Sequence, residues 1–311
     1  MIGLSRASQA GLTLVEMMVA MAIGLAVVLA AARLLGLANH AYAAQVEAAA
    51  LDDAGRYALD IVGRAVRQTA HADPLQLDLS APVDVLPARL AGLDARSLGS
   101  STAGIATPLA AVANGSDVLA VRFPGAGGGT NGDGSVLNCA GFAVPSFEEG
   151  WSIFYVAKNG DGEPELRCKY RGSGSGSWSA HAVVAGVDSF QVLYGIDTDT
   201  PRDGAANRYL NADAIQALDA AFAGLPAQEL NRRTWWKRVV SVRVALLLHG
   251  ARTTRHGAVN TEFQLFGPLH AAEAAAGDTG TVVREDALPD QLRRRERRLF
   301  SMTVALPAGA L

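Results

Sequence analysis

An uninterrupted apolar stretch near the N-terminus constrains this chain more than any other feature of its sequence. The sixteen residues from Met17 to Ala32 carry no charge, and the apolar character continues beyond Arg33 to Leu37. As a helix, residues 12–37 would be about 39 Å long, against about 30 Å for the hydrocarbon core of a bilayer, and Arg33 could reach the headgroups. The sequence therefore predicts one membrane-spanning helix.

The residues before this stretch predict its orientation. Residues 1–11 contain Arg6 and no acidic side chain. The positive-inside rule then keeps the N-terminus in the cytoplasm and sends everything after Ala38 across the membrane. We therefore expect a periplasmic or extracellular body.

Composition excludes several kinds of site in that body. Half of the 311 residues are hydrophobic, which is enough to bury a sizeable core, and the net charge of −3 lacks the basic excess of nucleic-acid-binding proteins. The two cysteines, Cys139 and Cys168, are too few for a four-ligand zinc or iron–sulfur site. In an oxidising compartment they could form one disulfide bond.

Glu16 argues against an ordinary secretory signal, although a plain anchor and a buried core helix also compete as interpretations. Ala41-Tyr42-Ala43 does have the small-x-small form of a signal-peptidase site. However, a carboxylate at mid-membrane depth costs about 2.5 to 3.5 kcal/mol and therefore needs a partner. A cut between Gly11 and Leu12 would supply one, because the new α-amino group lies one helical turn from Glu16. In staggered helices, this carboxylate could reach the ammonium group of the next chain.

The segment around this cut resembles a known processing signal. Gly11-Leu12-Thr13-Leu14-Val15-Glu16, with the apolar run after it, resembles the class III signal of type IV pilins and type II secretion pseudopilins. The resemblance implies that a prepilin peptidase cleaves between Gly11 and Leu12, that Leu12 becomes N-methylated, and that Glu16 serves assembly. Leu12 stands where phenylalanine is usual, and Arg33 where major pilins commonly carry a helix-kinking proline. Both departures favour a minor subunit.

The predicted helix continues beyond the membrane. From Ala38 to about His71 there is no proline, and Pro74 is the expected stop. Asp52 with Arg56, and Asp60 with Arg64, are spaced as solvent-facing ion pairs. An apolar stripe with three–four spacing offers a face for a sheet, and it consists of Leu51, Ala54, Ala58, Ile61 and Ala65.

The remainder is predicted to be a head with an antiparallel sheet. Residues 73–116 show no regular spacing of apolar side chains. In later segments apolar and polar residues alternate, so that the apolar side chains of each segment share one face of a strand. One-sided burial implies a sheet packed over a helix, and Asn159-Gly160-Asp161-Gly162 predicts a hairpin turn. The sets that share a face are Phe190, Val192 and Tyr194; Val240, Val242, Val244, Leu246 and Leu248; and Phe300, Met302, Val304 and Leu306. The predicted strands are 118–123, 151–157, 165–170, 187–194, 239–248 and 299–306.

The head also carries segments that together resemble the PilW family of minor pilins. They are Asp52 to Arg67, Gly115 to Leu119, Asn159 to Leu166, Tyr194 to Asp197 and Arg298 to Ser301. The resemblance implies an α+β, type IV pilin-like fold with a leader peptide (1–11), a transmembrane and assembly helix (12–38), its amphipathic continuation (39–72) and a head (73–311).

The resemblance further implies a minor pilin that helps to initiate the type IV pilus, in a priming or tip complex. Its partners would be other minor pilins, the major pilin, the prepilin peptidase and the inner-membrane assembly platform. The chain would reside in the inner membrane with its head in the periplasm and then in the pilus. The alternatives are a J-type pseudopilin of type II secretion and a membrane-tethered or secreted binding module or adhesin.

No catalytic or cofactor site is expected from the sequence. The six histidines show no HExxH pair or ligand spacing to the cysteines, and we predict a structural Cys139–Cys168 disulfide rather than a reactive thiol. The loop Gly125 to Gly134 lacks the Lys-Ser/Thr of a phosphate site, and we interpret it as a flexible loop. Asp197, Asp199 and Asp203 could ligate calcium, but the EF-hand spacing is absent and a turn is favoured. We therefore predict no enzyme activity, no metal and no cofactor.

Two basic runs remain in the head. One is Arg293-Arg294-Arg295-Glu296-Arg297-Arg298, and the other pairs Arg232-Arg233 with Lys237-Arg238 around Trp235-Trp236. Such runs can bind nucleic acid. On an exported head we interpret them as solvated charge or as a partner surface.

Overall fold

A computed structural model describes residues 11–70, 86–174, 176–255, 257, 259–274 and 277–306. The chain forms two compact units, Met1–Glu47 and Ala48–Leu311.

Short 3₁₀ segments lie at Ala220–Phe222, Trp235–Arg238 and Glu285–Ala287. In chain order the helices and strands are α1 Leu14–Gln68, β1 Leu90–Leu93, β2 Arg96–Leu98, β3 Pro108–Ala110, β4 Val118–Pro124, β5 Glu149–Lys158, β6 Pro164–Arg171, β7 Trp178–Ala185, β8 Val187–Ile196, β9 Arg208–Leu210, α2 Ala212–Asp219, α3 Ala227–Arg233, β10 Val239–Thr253, β11 Glu262–Gln264, α4 Pro268–Ala274, β12 Val282–Arg284, α5 Asp290–Arg293 and β13 Arg295–Ala305.

Helix α1 has 55 residues, as expected for a proline-free and alanine-rich segment. Its most apolar 18-residue window has a mean hydropathy of 2.4, so the helix is long and apolar enough to cross a membrane. It ends at Gln68 rather than near the expected stop, and Pro74 lies outside the described residues.

The second part of α1 buries the predicted stripe. Leu51, Ala58, Ile61 and Ala65 are buried in the largest apolar cluster of the head, and Ala54 packs against it. Val62 and Val66 extend the same face. This burial follows from the three–four spacing, which places these side chains on one side of the helix.

Two antiparallel sheets make up most of the head. The five-stranded sheet has the order β1-β4-β5-β6-β7, and the four-stranded sheet has the order β13-β10-β8-β9. Two further pairs, β2-β3 and β11-β12, are separate. The large cluster joins the α1 stripe to one face of each sheet, so the predicted α+β fold, a long helix with an antiparallel head, is confirmed.

All six predicted strands are present with small differences at their ends, and so is the hairpin turn. The side-chain oxygen of Asn159 accepts bonds from the backbone N–H groups of Asp161 and Glu163. Gly162 has a positive φ of 82°, which glycine adopts without strain. The turn therefore joins β5 to β6 as the sequence predicts.

Two expectations about burial are wrong. The central strands β8 and β10 are buried on both faces, because Leu193 and Leu247 pack in a second cluster with Phe266 and Val283. The buried face of β10 was also predicted to start at Val240, but it starts at Val239. A register shift between Val239 and Ser241 puts Val239 in the core and leaves Val240 half-buried.

Candidate functional site

The N-terminus of α1 is closed by a reciprocal pair of side chains. Thr13 precedes the helix, and its hydroxyl accepts a bond from the backbone N–H of Glu16 at 3.3 Å. In return, Oε2 of Glu16 accepts bonds from the backbone N–H of Thr13 at 2.9 Å and from its hydroxyl at 3.0 Å. This is a capping box, which satisfies donors that the first turn would otherwise leave unpaired. The Thr-x-x-Glu spacing that produces it is visible in the sequence, although only Glu16 was singled out there.

The predicted cleavage site lies directly before this cap. Gly11 and Leu12 precede the first helical residue, and the Leu12 side chain is 84% exposed. Residues 1–10 of the expected leader lie outside the described residues. Cleavage, methylation and assembly at Gly11, Leu12 and Glu16 remain predictions.

The two cysteines of the head form a disulfide bond. Their Cα atoms are 5.9 Å apart, and the cysteines lie 29 positions apart in sequence. Cys168 lies on β6, whereas Cys139 lies in the loop between β4 and β5, where its backbone N–H donates to the Ser152 hydroxyl. The bond therefore attaches this loop to the five-stranded sheet.

A groove of about 480 Å³ lies beside the disulfide bond. It is bounded by α1 at Tyr57 and Arg64, by the loop around Cys139, and by β7 at His181. None of the described residues that line it is aspartate or glutamate. The groove is thus a described surface that combines apolar and hydrogen-bonding groups with positive charge.

The arginine run at 293–298 is not the solvated surface that the sequence indicates. Arg297 is buried, and its guanidinium donates to Asp188 at 2.7 Å and to Glu285 at 3.2 Å. Arg298, on the opposite face of β13, pairs with Asp52 of α1. Asp52 therefore pairs with Arg298 rather than with Arg56, the partner predicted from the sequence. The predicted Asp60–Arg64 pair is present at 3.0 Å.

The ion pairs around Arg297 continue into a network that connects the two larger sheets. His249 of β10 is buried between Asp188 and Glu163, with one ring nitrogen facing each carboxylate. Glu163, in the turn before β6, also binds Arg295 at 2.7 Å. Burial alone would raise the pKa of Glu163. Interactions with His249 and Arg295 lower it by a larger amount, so the pKa lies below its usual range.

Glu285 behaves in the same way at the other end of the network. Burial raises its pKa, but the bonds from Arg255 and the backbone N–H of Thr261 outweigh this, and its pKa is lowered. The network therefore favours the ionised forms of Glu163 and Glu285.

The second basic run is also engaged within the head. Arg232 and Arg233 pair with Glu229, and the guanidinium of Arg238 stacks 4.9 Å from the centre of the Trp235 ring. Trp236 is buried and packs edge-to-face on Tyr194, with ring centres 4.8 Å apart. These contacts use the basic and aromatic side chains that suggested a binding surface.

Two acids, the buried Asp117 and the half-buried Asp94, lie where β1, β4 and α2 meet. Asp117 accepts bonds from the backbone N–H groups of Ala95 and Val192, and burial raises its pKa well above the usual range. Asp94 accepts bonds from Ala212 and Asp213 at the N-terminus of α2, and burial raises its pKa to about 6. Both side chains thus accept hydrogen bonds from the backbone of neighbouring segments.

Asp197, Asp199 and Asp203 do come together, with ligand atoms within 4.8 Å of one another. The two oxygens of Asp197 accept bonds from the backbone N–H groups of Asp199 and Gly204. The Gly204 bond is the largest cause of the lowered pKa of Asp197. Since both oxygens bind backbone donors, the geometry favours the turn interpretation.

Two of the remaining histidines contact neighbouring side chains within the described residues. Tyr170 and His181 interact through the tyrosine hydroxyl and Nε2 at 3.2 Å, and His270 pairs with Asp278 at 3.3 Å. His71 and His256 lie outside the described residues. The loop 125–134 is bonded through its backbone to Val144, Ser146 and Glu148.

Comparisons with known proteins concern both units. Residues 153–308, slightly more than half of the chain, match the family described as Type IV Pilus-assembly protein W. Residues 6–32 match the prokaryotic N-terminal methylation motif. Among solved structures, a type IV-like pilin from Thermus thermophilus is similar with 15% sequence identity and a TM-score of 0.34, over 73% of this chain and 87% of that one. No curated protein matches the chain.

Proposed function

Because the chain belongs to the family of type IV pilus-assembly protein W, we propose that it is a minor pilin that helps to initiate pilus assembly in a priming or tip complex. The observation that carries the proposal is the joint presence of the family match over 153–308 and the methylation motif over 6–32. The first concerns the head, and the second concerns the segment by which pilins assemble. The motif and the apolar helix together indicate membrane anchoring with a pilus association.

The chain is first processed at its N-terminus. A prepilin peptidase removes residues 1–11 by cleavage between Gly11 and Leu12, and methylates Leu12. The mature chain then consists of the assembly helix 12–38, its continuation 39–72 and the head 73–311. Before assembly it spans the inner membrane once, with the N-terminus in the cytoplasm and the head in the periplasm.

Glu16 has two separate tasks in this proposal. Oε2 closes the capping box with Thr13, while Oε1 has no hydrogen bond within the described residues 11–70. Oε1 can accept a hydrogen bond from the ammonium group of a neighbouring subunit at the same membrane depth. An ion pair in hydrocarbon strongly favours the register that makes it, because the alternative is an unpaired charge.

The proposed role is structural rather than catalytic. Its partners are other minor pilins, the major pilin and the inner-membrane assembly platform. Starting a filament requires the first few helices to be ordered before repeated contacts accumulate, whereas elongation adds each subunit to an existing bundle. A subunit that supplies the first helix pairs would control the number of filaments more than their structure.

Deletion of the gene tests this function. We expect far fewer surface pili and reduced twitching motility, with the remaining pili normal in appearance, and restoration by the intact chain. A Gly11→Leu chain should accumulate as precursor and fail to restore piliation. Normal piliation with failed enzyme secretion would instead identify a type II secretion pseudopilin, and a mature N-terminus at Ala44 would identify a secreted binding module.

A further inference from the structure

Strand β7 is a long sheet edge without charged residues. Among the described parts of the two larger sheets, the edge strands β1 and β9 have only four and three residues, and β13 begins with four consecutive charged residues. β7 has eight residues, Trp-Ser-Ala-His-Ala-Val-Val-Ala, and none of them is Asp, Glu, Lys or Arg. Natural proteins usually protect such an edge with charge, proline or a covering segment, because its free backbone groups can pair with another strand.

The hydrogen-bond pattern shows which backbone groups of β7 have no partner among the residues that the structure describes. The backbone N–H of Gly172 donates to Ser177, and that of Gly186 donates to Pro164. Bonded and non-bonded pairs alternate in an antiparallel ladder, so Trp178 and Ala180 direct their N–H and C=O groups, and Ala182 its N–H group, away from β6; beyond Ala182 the register shifts by one residue. None of the eight residues is buried.

The groove beside the disulfide bond borders the same strand. Its lining includes His181, Ala182 and Val183 of β7 on one side and Tyr57 and Arg64 of α1 on the other. A strand added to β7 would extend the sheet along the groove, and alternate side chains of that strand would face it. Arg64 pairs with Asp60 but has further N–H donors, and none of the described lining residues is acidic, so the groove favours apolar or acidic side chains over basic ones.

We propose that β7 and this groove together form a strand-addition site that receives an extended segment of another pilus subunit. The backbone ladder would supply affinity, and the groove would select small apolar or acidic side chains at alternate positions. The inference rests on the proposed function only for the statement that the partner belongs to the pilus.

Site-directed photo-crosslinking in piliated cells tests the site. The full chain carries a photoreactive amino acid at Ala180 or at Ala182, and the cross-linked residues are mapped by mass spectrometry. We expect the two positions to reach residues two apart in one extended segment of another pilus subunit. Absence of a product, or products only with a second copy of this chain, would overturn the proposal.

A proline substitution provides a matched comparison. Ala180→Pro removes an outward N–H group without disturbing the ladder to β6, and should reduce the cross-linking yield from position 182 by about tenfold. Thr303→Pro is the control, because Thr303 is exposed and its N–H group also faces away from its neighbour strand β10. It should leave the yield unchanged, and an undiminished yield with Ala180→Pro would contradict strand addition.

Two further readouts separate the possible failures. If Ala180→Pro prevents disulfide formation, Ala182→Lys replaces it, since a charge blocks the edge without altering the backbone. Cross-links with the two-residue spacing to a protein outside the pilus would overturn the pilus partner while supporting the edge as a strand site, and the deletion experiment then decides the minor-pilin function separately. Undiminished cross-linking from position 180 in an Ala182→Lys chain would contradict strand addition and leave the proposed function intact.

Discussion

Thr13 and Glu16 give the apolar helix a defined start. The capping box uses one oxygen of Glu16 for the first turn and leaves the other unbonded within residues 11–70. A residue that only neutralised a neighbouring ammonium would not need this local partner. Cap formation and the proposed assembly role are therefore separable for this one carboxylate.

Two substitutions separate these functions. Glu16→Leu removes the charge, so membrane insertion should be unchanged or improved, while pilus number falls because the register-selecting ion pair is lost. Thr13→Val removes the hydroxyl but keeps the shape and the Glu16 charge, and should weaken the cap by about 1 kcal/mol with a much smaller effect on piliation. Membrane fractionation and counts of surface pili measure the two effects. Equal piliation with wild-type and Glu16→Leu chains would refute the role of Glu16.

Asp94 makes the stability of the head depend on pH. Burial raises its pKa in the folded state to about 6 from 3.8, so the folded state holds the proton more tightly than the unfolded state. The stability associated with the neutral form is present below about pH 4 and is lost as the pH rises through 6. Relative to an Asp94→Asn chain, the wild type should lose up to about 3 kcal/mol between pH 4 and 7. Urea unfolding of both chains at several pH values measures the difference, and a constant difference would contradict it.

The capping box could have been predicted from the Thr13-x-x-Glu16 spacing, but the role of Arg297 could not. A run of arginines predicts exposed charge because an isolated guanidinium is rarely buried. On a strand, however, alternate side chains face opposite sides, which sends Arg297 inward and Arg298 towards α1. The acid that binds Arg297 at 2.7 Å, Asp188, is 109 residues away, and sequence spacing carries no information about such a pair.

Helix α1 and strand β13 approach closely at two glycines. A Cβ atom placed on Gly55 would lie 2.4 Å from the Phe300 ring, whereas one on Gly63 would lie 3.3 Å from the flexible end of Met302. Glycine within a helix costs about 1 kcal/mol relative to alanine. At Gly55 this cost allows the aromatic ring to pack directly on the helix.

The two glycines therefore predict opposite results for one substitution. Gly55→Ala should destabilise the head by about 1 to 3 kcal/mol, because the Phe300 ring must move. Gly63→Ala should be neutral or stabilising, because Met302 can adjust and alanine favours the helix. Denaturant unfolding followed by tryptophan fluorescence compares them. Similar effects of the two substitutions would contradict the packing argument.

The long elements were predictable and the short ones were not. The helix and six strands have apolar periodicity over enough residues to be identified, and they appear at the predicted positions. The pairs β2-β3 and β11-β12 have three residues per strand, too few to show a period. The second face of β8 and β10 was missed for a related reason: it is covered by Leu265, Phe266 and Val283, which lie in or next to these short strands.

The two larger sheets are connected by the charged network around Arg297. Glu163 belongs to the turn that leads into the five-stranded sheet, whereas Asp188, His249 and Arg297 belong to the four-stranded one. Removing one member leaves the others buried without a counter-charge, which costs more than the network contributes.

Arg297→Met tests this connection. We expect a loss of about 3 to 5 kcal/mol in the free energy of unfolding, because Asp188 and Glu285 lose their buried partner. Arg298→Met, which removes a partly exposed arginine from the same strand, should cost about 1 kcal/mol or less. Equal losses for the two variants, measured by urea unfolding, would show that burial of the network is unimportant.

The disulfide bond closes a loop whose two cysteines lie 29 positions apart. Replacing both cysteines with serine should destabilise the head by about 3 to 4 kcal/mol according to the chain-entropy account. The full wild-type chain, purified without reductant, should contain no free thiol. Detection of two free thiols would contradict the assignment.

This bond also sets an order of events. One wall of the groove next to β7 is the loop that Cys139 fastens to β6. Thiols remain reduced in the cytosol and are oxidised after export, so in the proposed topology that wall becomes fixed only on the far side of the membrane. A newly made chain would therefore be unable to offer a finished groove to a partner before it has been inserted. Oxidation of the two cysteines after export would therefore precede binding through the groove, so that subunits contact each other through their heads only at the site of filament assembly.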